Sequence, residues 1–226
     1  MKPYYEHAGI QIFLGDCRDV LPTLGPVDAV VTDPPYGIAL TGKRAKQRGG
    51  GVLVRKGSYS FEDSPEYIGA VVVPVVRHCL VIAACVAVTP GTRNLWLYPP
   101  ADDVGCFFSA AGTGMGRWGF TCSQPILFYG SDPYLRAGMG SRPNSHGQTY
   151  PNDANQLDHP CAKPLPMWKW LVVRATLEGA HVLDPFMGVG TTLVAAHDTG
   201  RKAIGIEIEE RYCEIAANRL RQEVLV

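Results

Sequence analysis

The chain has 226 residues, of which 46% are hydrophobic, and this size and composition predict one globular domain, residues 1–226, with a substantial core. Its 21 basic residues balance its 21 acidic ones, which excludes a polycation that binds nucleic acid through bulk charge, so any such contact needs a local patch. The seven cysteines form no Cys-x-x-Cys pair and the six histidines are not clustered, so we expect neither a disulfide framework nor a metal site. This cysteine usage, with no signal-peptide pattern at the N-terminus, favours a cytoplasmic location.

Two apolar runs near the N-terminus predict parallel strands. Ile10–Leu14 and Val27–Thr32 suit buried strands, and a short helix between them is predicted to begin at Asp16 or Asp19. A strand, a helix and a second strand in this order form a parallel βαβ unit. In open sheets of this kind, ligands bind at the carboxyl ends of the strands.

The second strand stops at Asp33-Pro34-Pro35-Tyr36. Two prolines remove two backbone donors in a row, and the residue before a proline is held extended. A planar amine could therefore be hydrogen-bonded by the Asp33 carboxylate and the Pro34 carbonyl while its ring stacks on Tyr36. An ordinary strand-ending turn is the alternative interpretation of these four residues alone.

Residues 37–60 contain six basic residues and no acidic one. A run of charges is usually a solvated surface loop, but a cationic loop directly after this turn could bind the phosphates of a nucleic acid. We therefore predict a mobile basic loop over 37–60, whose nucleic-acid-binding residues are Lys43, Arg44, Lys46, Arg48, Arg55 and Lys56.

The middle of the chain predicts further core elements and one long loop. Residues 69–88 are apolar over the length of a membrane span, but Arg77 and His78 lie in the middle, so we expect a buried helix leading to a central strand. Strands are predicted over 94–98 and 124–129. Residues 131–159 are polar and lack periodicity, and they are either a loop that recognises the sequence of a nucleic-acid partner or a structural or disordered loop.

The C-terminal part predicts a ligand-binding loop between two strands. A helix over 165–177 follows His159-Pro160-Cys161-Ala162-Lys163-Pro164, and the next strand ends at Asp184. The following segment, Pro185-Phe186-Met187-Gly188-Val189-Gly190-Thr191, turns into a helix over 191–197, and its glycines let the backbone approach a ligand closely. A strand over 201–207 then ends at Glu207, at the spacing from the glycines at which a carboxylate binds ribose hydroxyls, and a helix over 209–221 follows.

Together, the Asp-Pro-Pro-Tyr, His-Pro-x-x-Lys-Pro and Asp-Pro-Phe-x-Gly-x-Gly-Thr motifs resemble the β class of exocyclic-amino DNA methyltransferases. These enzymes use S-adenosyl-L-methionine (SAM) to methylate adenine N6 or cytosine N4. The resemblance covers most of the chain and implies an α/β, Rossmann-like SAM-dependent methyltransferase fold. We expect a mostly parallel sheet with helices on both faces. We also expect a circularly permuted motif order, because the strand ends at Asp184 and Glu207, which come first in most enzymes of this fold, here follow those at Asp16 and Asp33. The recognition region is shorter than the family pattern, which leaves the DNA sequence specificity open.

The resemblance also implies roles for individual residues. The catalytic turn would be Asp33, Pro34, Pro35 and Tyr36. Asp184 and Lys163 would lie near the methionine end of the cofactor, and Glu207 would bind the ribose. The residues implied to bind the cofactor are Asp16, Cys17, Asp33, Lys163, Asp184, Phe186, Gly188, Gly190, Thr191 and Glu207.

The leading aspartate of the catalytic turn favours adenine N6, because the serine form is typical of cytosine N4 enzymes. The expected partner is double-stranded DNA with a flipped target base, and a homodimer would suit a palindromic site. The open alternatives are methylation of cytosine N4, of RNA or of a protein glutamine, and a catalytically silent SAM-binding partner subunit. A restriction-modification role and the absence of membrane contact are further expectations.

Overall fold

The computed structural model describes residues 1–37, 45–46, 52–53, 64–110, 114–147 and 163–222. Its strands, in chain order, are β1 (Tyr5–His7), β2 (Ile10–Leu14), β3 (Val27–Thr32), β4 (Ala45–Lys46), β5 (Val52–Leu53), β6 (Ala83–Val88), β7 (Asp103–Phe108), β8 (Gly114–Gly116), β9 (Gly119–Thr121), β10 (Ser123–Gly130), β11 (His146–Gly147), β12 (His181–Asp184) and β13 (Lys202–Glu207). Its α-helices are α1 (Cys17–Val20), α2 (Pro65–Tyr67), α3 (Val73–Ile82), α4 (Pro133–Arg136), α5 (Leu165–Ala175), α6 (Thr191–Asp198) and α7 (Glu210–Gln222). Short 3-10 helices span Leu21–Thr23 and Leu95–Leu97, and a π-helical segment, Ile68–Val72, joins α2 to α3.

Nine of the described strands form one sheet in the order β1-β2-β13-β12-β3-β6-β10-β7-β11. Strands β2, β13, β12, β3 and β6 run parallel to one another, whereas β1 and β10 pair antiparallel with β2 and β6. The predicted mostly parallel sheet is therefore confirmed, with antiparallel pairs towards its two edges. The pairs β4–β5 and β8–β9 are separate hairpins.

Helices cover both faces of the sheet, as the sequence predicted. On one face α5, α6 and α7 bury Trp168, Leu193 and Leu220 against the sheet. On the other face α1 and α3 bury Val20 and Val76 in a second cluster. Strand β3 lies between these two layers, so every residue of it except Asp28 is buried.

The apolar segment after residue 64 folds as a helix and then a strand, which confirms the prediction for 69–88. Within the described residues, the helix Pro65–Ile82 is long and apolar enough to cross a membrane by length and composition alone. Ile68, Val72, Val76 and Cys79 on this helix are fully buried against the sheet. We therefore interpret it as a core helix, since its apolar surface already has a partner within the domain.

The strand predicted over 94–98 is wrong. These residues contain the 3-10 helix Leu95–Leu97, with Trp96 87% exposed, and the place beside β6 is taken by β10. The neighbour of β10 is β7, which the sequence did not predict because Gly105 interrupts its apolar pattern. A Cβ atom at Gly105 would lie 1.8 Å from the Asn144 carbonyl oxygen, so the crossing segment requires glycine there.

The other predicted elements agree with the structure within a few residues. Helix α5 ends two residues early, because Thr176 is already extended, with φ −147° and ψ 151°. In the segment predicted as a recognition loop, residues 131–147 are described and contain α4 and β11. They are anchored to α5: Arg174 pairs with Asp132 at 2.7 Å, and the Tyr134 hydroxyl donates to the Val173 carbonyl at 2.8 Å.

The sheet order brings together strands from the two ends of the sequence. Strands β13 and β12 lie between β2 and β3, so the carboxyl ends of these four strands are neighbours along one edge of the sheet. The acidic residues at these ends are Asp16, Glu207, Asp184 and Asp33. At that edge the Gly15 N–H donates to the Glu207 carbonyl at 2.9 Å, and the Thr32 hydroxyl donates to Asp184 Oδ1 at 2.7 Å. The permuted order of motifs in the sequence thus produces one contiguous edge in space, where ligands bind in open α/β sheets.

Candidate active site

The predicted catalytic turn begins at Asp33, directly after β3, and three side chains hold the Asp33 carboxylate. Oδ1 accepts hydrogen bonds from the Tyr36 hydroxyl and the Thr89 hydroxyl, each at 2.5 Å. Oδ2 forms an ion pair with Lys163 Nζ at 2.7 Å. A carboxylate oxygen can accept two hydrogen bonds, so among the described residues Oδ2 has one acceptor position left.

Tyr36 lies at the centre of this group. Its hydroxyl accepts from Gln124 Nε2 at 2.6 Å and from Lys163 Nζ at 3.1 Å, and the same ammonium lies 4.9 Å from the ring centroid. Its carbonyl accepts from Asn94 Nδ2 at 2.9 Å. Burial and the adjacent Asp33 raise the pKa of Tyr36, so its hydroxyl keeps its proton. The ring is therefore fixed in position and presents a neutral aromatic surface.

The ammonium group of Lys163 supplies a positive charge beside Asp33 and Tyr36. Burial alone would lower the pKa of Lys163, but the charge of Asp33 and the contact with Tyr36 raise it overall. Lys163 is thus charged in the folded protein and balances the carboxylate. The family resemblance implied a position for Lys163 beside the cofactor's methionine end, and this stays a prediction. In the structure the ammonium contacts Asp33 and Tyr36.

Asp184, at the end of β12, is buried and bonded within the protein. Oδ1 accepts from the Thr32 hydroxyl at 2.7 Å and from the Phe186 N–H at 3.0 Å, and Oδ2 accepts from the Thr192 hydroxyl at 2.5 Å. Burial raises the pKa of Asp184 to about 6 even though these hydrogen bonds favour the ionised form. Thr192, which the sequence analysis did not name, thus contacts Asp184, and the cofactor contact predicted for Thr191 stays a prediction.

The glycine loop and the acid of the next strand meet directly. Glu207 Oε2 accepts from the Gly188 N–H at 3.0 Å, and Oε1 accepts from the Glu209 N–H at 2.8 Å. Burial raises the pKa of Glu207 to about 7. Gly190 begins α6 with φ +76°, and a Cβ atom there would lie 2.7 Å from the Ala216 Cβ, so both backbone angle and packing require glycine.

Asp16 and Cys17 stand at the end of β2, beside the strand of Glu207. Asp16 accepts from the Arg18 N–H at the start of α1, and hydrogen bonds from the Arg18 side chain lower the pKa of Asp16. Burial raises the pKa of Cys17 to about 12, so this thiol packs rather than reacts. The structure therefore brings the predicted cofactor residues to one edge of the sheet.

Several predicted residues lie outside the described part of the chain. His159-Pro160 is one such segment. Five of the six basic residues predicted to bind DNA are also outside it: Lys43, Arg44, Arg48, Arg55 and Lys56. The sixth, Lys46, belongs to β4, where only its backbone is described. No group of three or more metal-ligating side chains occurs among the residues that the structure describes.

Comparison with known proteins identifies the family. The sequence model of the DNA methylase family N6_N4_Mtase matches residues 91–218, more than half of the chain. The type II methyltransferases M2.LlaDCHI of Lactococcus lactis and M2.DpnII of Streptococcus pneumoniae are each 26% identical to the chain, over 97% and 98% of its length and 92% and 93% of theirs. The crystal structure of the M1.HpyAVI–SAM complex superposes with a TM-score of 0.67, at 19% identity, over 93% of this chain and 98% of that one.

The chain belongs to the N6/N4 DNA methylase family. It is a DNA methyltransferase of the class that acts on adenine N6 or cytosine N4, and SAM is the methyl donor of this family. The family model covers Lys163, the loop after Asp184 and Glu207, but not the predicted catalytic turn, which precedes residue 91. The alignment with M2.LlaDCHI covers 97% of the chain and includes that turn.

Three polar residues of the site escaped the sequence analysis: Thr89, Asn94 and Gln124. Thr89 directly follows β6, and Gln124 lies at the start of β10, which runs antiparallel to it. Both therefore meet the carboxyl end of β3, but this is visible only once the strand order is known. A polar residue beside an apolar strand is the only feature of the sequence that marks Thr89 and Gln124. The sequence does not show which strands lie next to each other, so it does not place these residues near Asp33.

Proposed function

We propose that the methylase transfers a methyl group from SAM to the N6 amine of adenine in double-stranded DNA. The observation that carries this proposal is the Asp33 carboxylate, whose Oδ2 has an acceptor position left, beside the fixed ring of Tyr36 and next to the cofactor strands. The aspartate form of the turn favours adenine. Cytosine N4 is the second candidate, because the family includes both bases.

The residues at the sheet edge fit SAM. Glu207 is a buried carboxylate whose ionised form is disfavoured by burial, so hydroxyl donors such as those of a ribose would stabilise it. Gly188 and Gly190 leave two positions of the loop after β12 without a side chain, so the backbone there can approach a ligand closely. Asp184, bonded to the protein on both oxygens, would act mainly by fixing the loop at Phe186. When bound, SAM supplies a methyl group on a positively charged sulfur.

The chain's own residues would then orient the target amine. We infer that the base leaves the duplex, stacks on Tyr36 and donates its two N–H bonds to Asp33 Oδ2 and the Pro34 carbonyl. These acceptors direct the nitrogen lone pair towards the methyl group, so catalysis rests on positioning and electrostatics. When the amine gains the methyl group that the bound cofactor would supply, Asp33 would accept, along their hydrogen bond, the one proton that the nitrogen loses.

The test is methyl transfer by the purified chain to unmethylated, mixed-sequence DNA, with the product nucleosides identified by mass spectrometry. We expect N6-methyladenine from the wild type and from Glu210→Ala, which removes an exposed carboxylate on α7. Asp33→Ala should lose at least about 100-fold in turnover, the lower end of what a positioned acid–base group contributes. N4-methylcytosine would correct the base, and normal turnover in Asp33→Ala would refute the assignment of the catalytic turn.

The remaining expectations belong to the same proposal. RNA or protein glutamine as the acceptor, or a silent SAM-binding subunit, would appear in this assay as SAM binding without DNA methylation. Base flipping, a homodimer and a cytoplasmic location are consistent with a DNA substrate and are proposed with it, as is a partner restriction enzyme.

A further inference from the structure

The hairpin formed by β8 and β9 extends from the edge of the sheet that carries the catalytic turn. Its base continues the β7–β10 ladder, where Phe108 pairs with Ser123 and the Ser109 N–H donates to the Cys122 carbonyl at 2.7 Å. Gln124, which follows Ser123 on β10, donates to the Tyr36 hydroxyl at 2.6 Å. The hairpin therefore begins immediately beside the target-binding residues.

The tip of this hairpin exposes aromatic rings. A two-residue turn, Arg117-Trp118, joins the strands, and Gly116 pairs with Gly119 across it. Trp118 has 104% of its reference surface exposed, more than any other large hydrophobic residue that the structure describes, and Phe120 is 74% exposed. Neither ring contributes to the core, so they have no folding role that would explain them. Exposed aromatic side chains of this kind mark an interaction surface.

Arg117 beside these rings identifies the kind of partner. Arg117 and the two aromatic residues lie within four positions of one another at the tip, so a guanidinium group there can bind a phosphate while the rings stack on bases. The major groove of B-DNA admits a two-stranded β-ribbon. Trp118 is six residues from Gln124 along the chain, so at about 3.3 Å per residue the tip lies within about 20 Å of the Gln124 backbone, whose side chain contacts the Tyr36 hydroxyl. A duplex with its target base at Tyr36 is therefore within reach of the hairpin.

We propose that the hairpin Gly114–Thr121 binds the DNA duplex next to the target base. Trp118 and Phe120 stack on bases that lose a neighbour when the target leaves the helix, and Arg117 contacts a phosphate. The proposal rests on base flipping in the proposed function. It adds a DNA-binding element outside both the basic segment 37–60 and the segment 131–159.

The test uses the full chain with Trp118→Ala, Trp118→Phe and Phe120→Ala, and with Tyr4→Ala as an exposed aromatic control beside β1, at the far edge of the sheet. The probe is unmethylated plasmid DNA cut into duplex fragments. Fluorescence anisotropy gives its dissociation constant, and methyl transfer gives kcat/KM. Base–aromatic stacking predicts that Trp118→Ala weakens binding or lowers kcat/KM by between about 5-fold and 100-fold. Trp118→Phe should retain most of the wild-type value, and Tyr4→Ala all of it.

SAM affinity and the melting temperature should stay close to the wild-type values in every variant, because these side chains are exposed and lie outside the hydrophobic core. Duplex binding and kcat/KM within twofold of wild type in Trp118→Ala would overturn the proposal. So would loss of self-association in that variant with DNA affinity unchanged, since the hairpin would then bind a second copy of the chain. If the wild type methylates no adenine, the proposed function fails, and the anisotropy measurement still decides whether the hairpin binds DNA.

Discussion

Replacing Glu207 by glutamine should remove a pH dependence from the stability of the methylase. Glu207 is only 9% exposed, and burial raises its pKa from the ordinary 4.5 to about 7. The folded protein therefore binds this proton more tightly than the unfolded chain does. The stabilising effect of that proton is complete below about pH 4.5, and it is lost as the pH rises to about 7.

The size of the effect follows from the two pKa values. For one group with these values, the free energy of unfolding falls by about 2.5 kcal/mol between pH 5 and pH 8. Glutamine cannot ionise, so Glu207→Gln lacks this component. Its single amide oxygen can serve only one of the Gly188 and Glu209 N–H groups well, and the lost hydrogen bond costs about 1–3 kcal/mol at every pH. The variant should thus be less stable than wild type at pH 5 and close to it, or above it, at pH 8.

Urea denaturation followed by circular dichroism at both pH values measures this difference. The control is Glu210→Gln, at an exposed glutamate three residues further on, which should keep the wild-type pH dependence. If Glu207→Gln shows the same stability difference between pH 5 and pH 8 as wild type, burial of this carboxylate is not the cause. Calorimetric titration at pH 8 should also show weaker SAM binding by the variant, because the ribose hydroxyls lose an ionised acceptor.

Two further substitutions test the packing of the site by urea denaturation. Lys163→Met breaks an ion pair whose side chains are 16% and 20% exposed, so it should cost about 2 kcal/mol, below the range for fully buried pairs. Lys169→Met breaks a more exposed pair and should cost at most about 1 kcal/mol; equal losses in the two variants would contradict the role of burial. Gly190→Ala should cost about 2–5 kcal/mol, from positive φ and overlap with Ala216, whereas Gly138→Ala, at φ +70° in open space, should cost only about 1 kcal/mol.

The sequence predicted the parallel half of the fold because its signals are local. Strands β2 and β3 have the predicted bounds, and β12 ends at Asp184 as expected, since each apolar run stops at an acid followed by a turn or proline. The contact between Gly188 and Glu207 also agrees with their predicted spacing. These features depend on residues within about twenty positions of one another.

The rest of the site depends on contacts between distant residues. Lys163 and Asp33 are 130 positions apart, and nothing in either segment indicates that their side chains form an ion pair. Gln124 reaches Tyr36 only because β10 lies beside β6, whereas the sequence had placed a strand over 94–98. Sequence patterns determined the elements, and packing of the sheet determined which polar side chains meet.

The permuted chain joins its catalytic and cofactor halves through side chains. Strands β3 and β12 are neighbours in the sheet although about 150 residues separate them, so no short connection fixes Asp33 relative to the cofactor loop. The Thr32 hydroxyl bonds to Asp184, and the Thr192 hydroxyl bonds to the same carboxylate while accepting from Trp168 Nε1 at 2.7 Å. Helix α5, which carries Trp168, begins two residues after Lys163, and the ammonium of Lys163 returns to Asp33. One closed ring of contacts therefore holds Asp33, the proposed catalytic carboxylate, in a fixed position relative to the loop after Asp184, although no short stretch of chain connects the two.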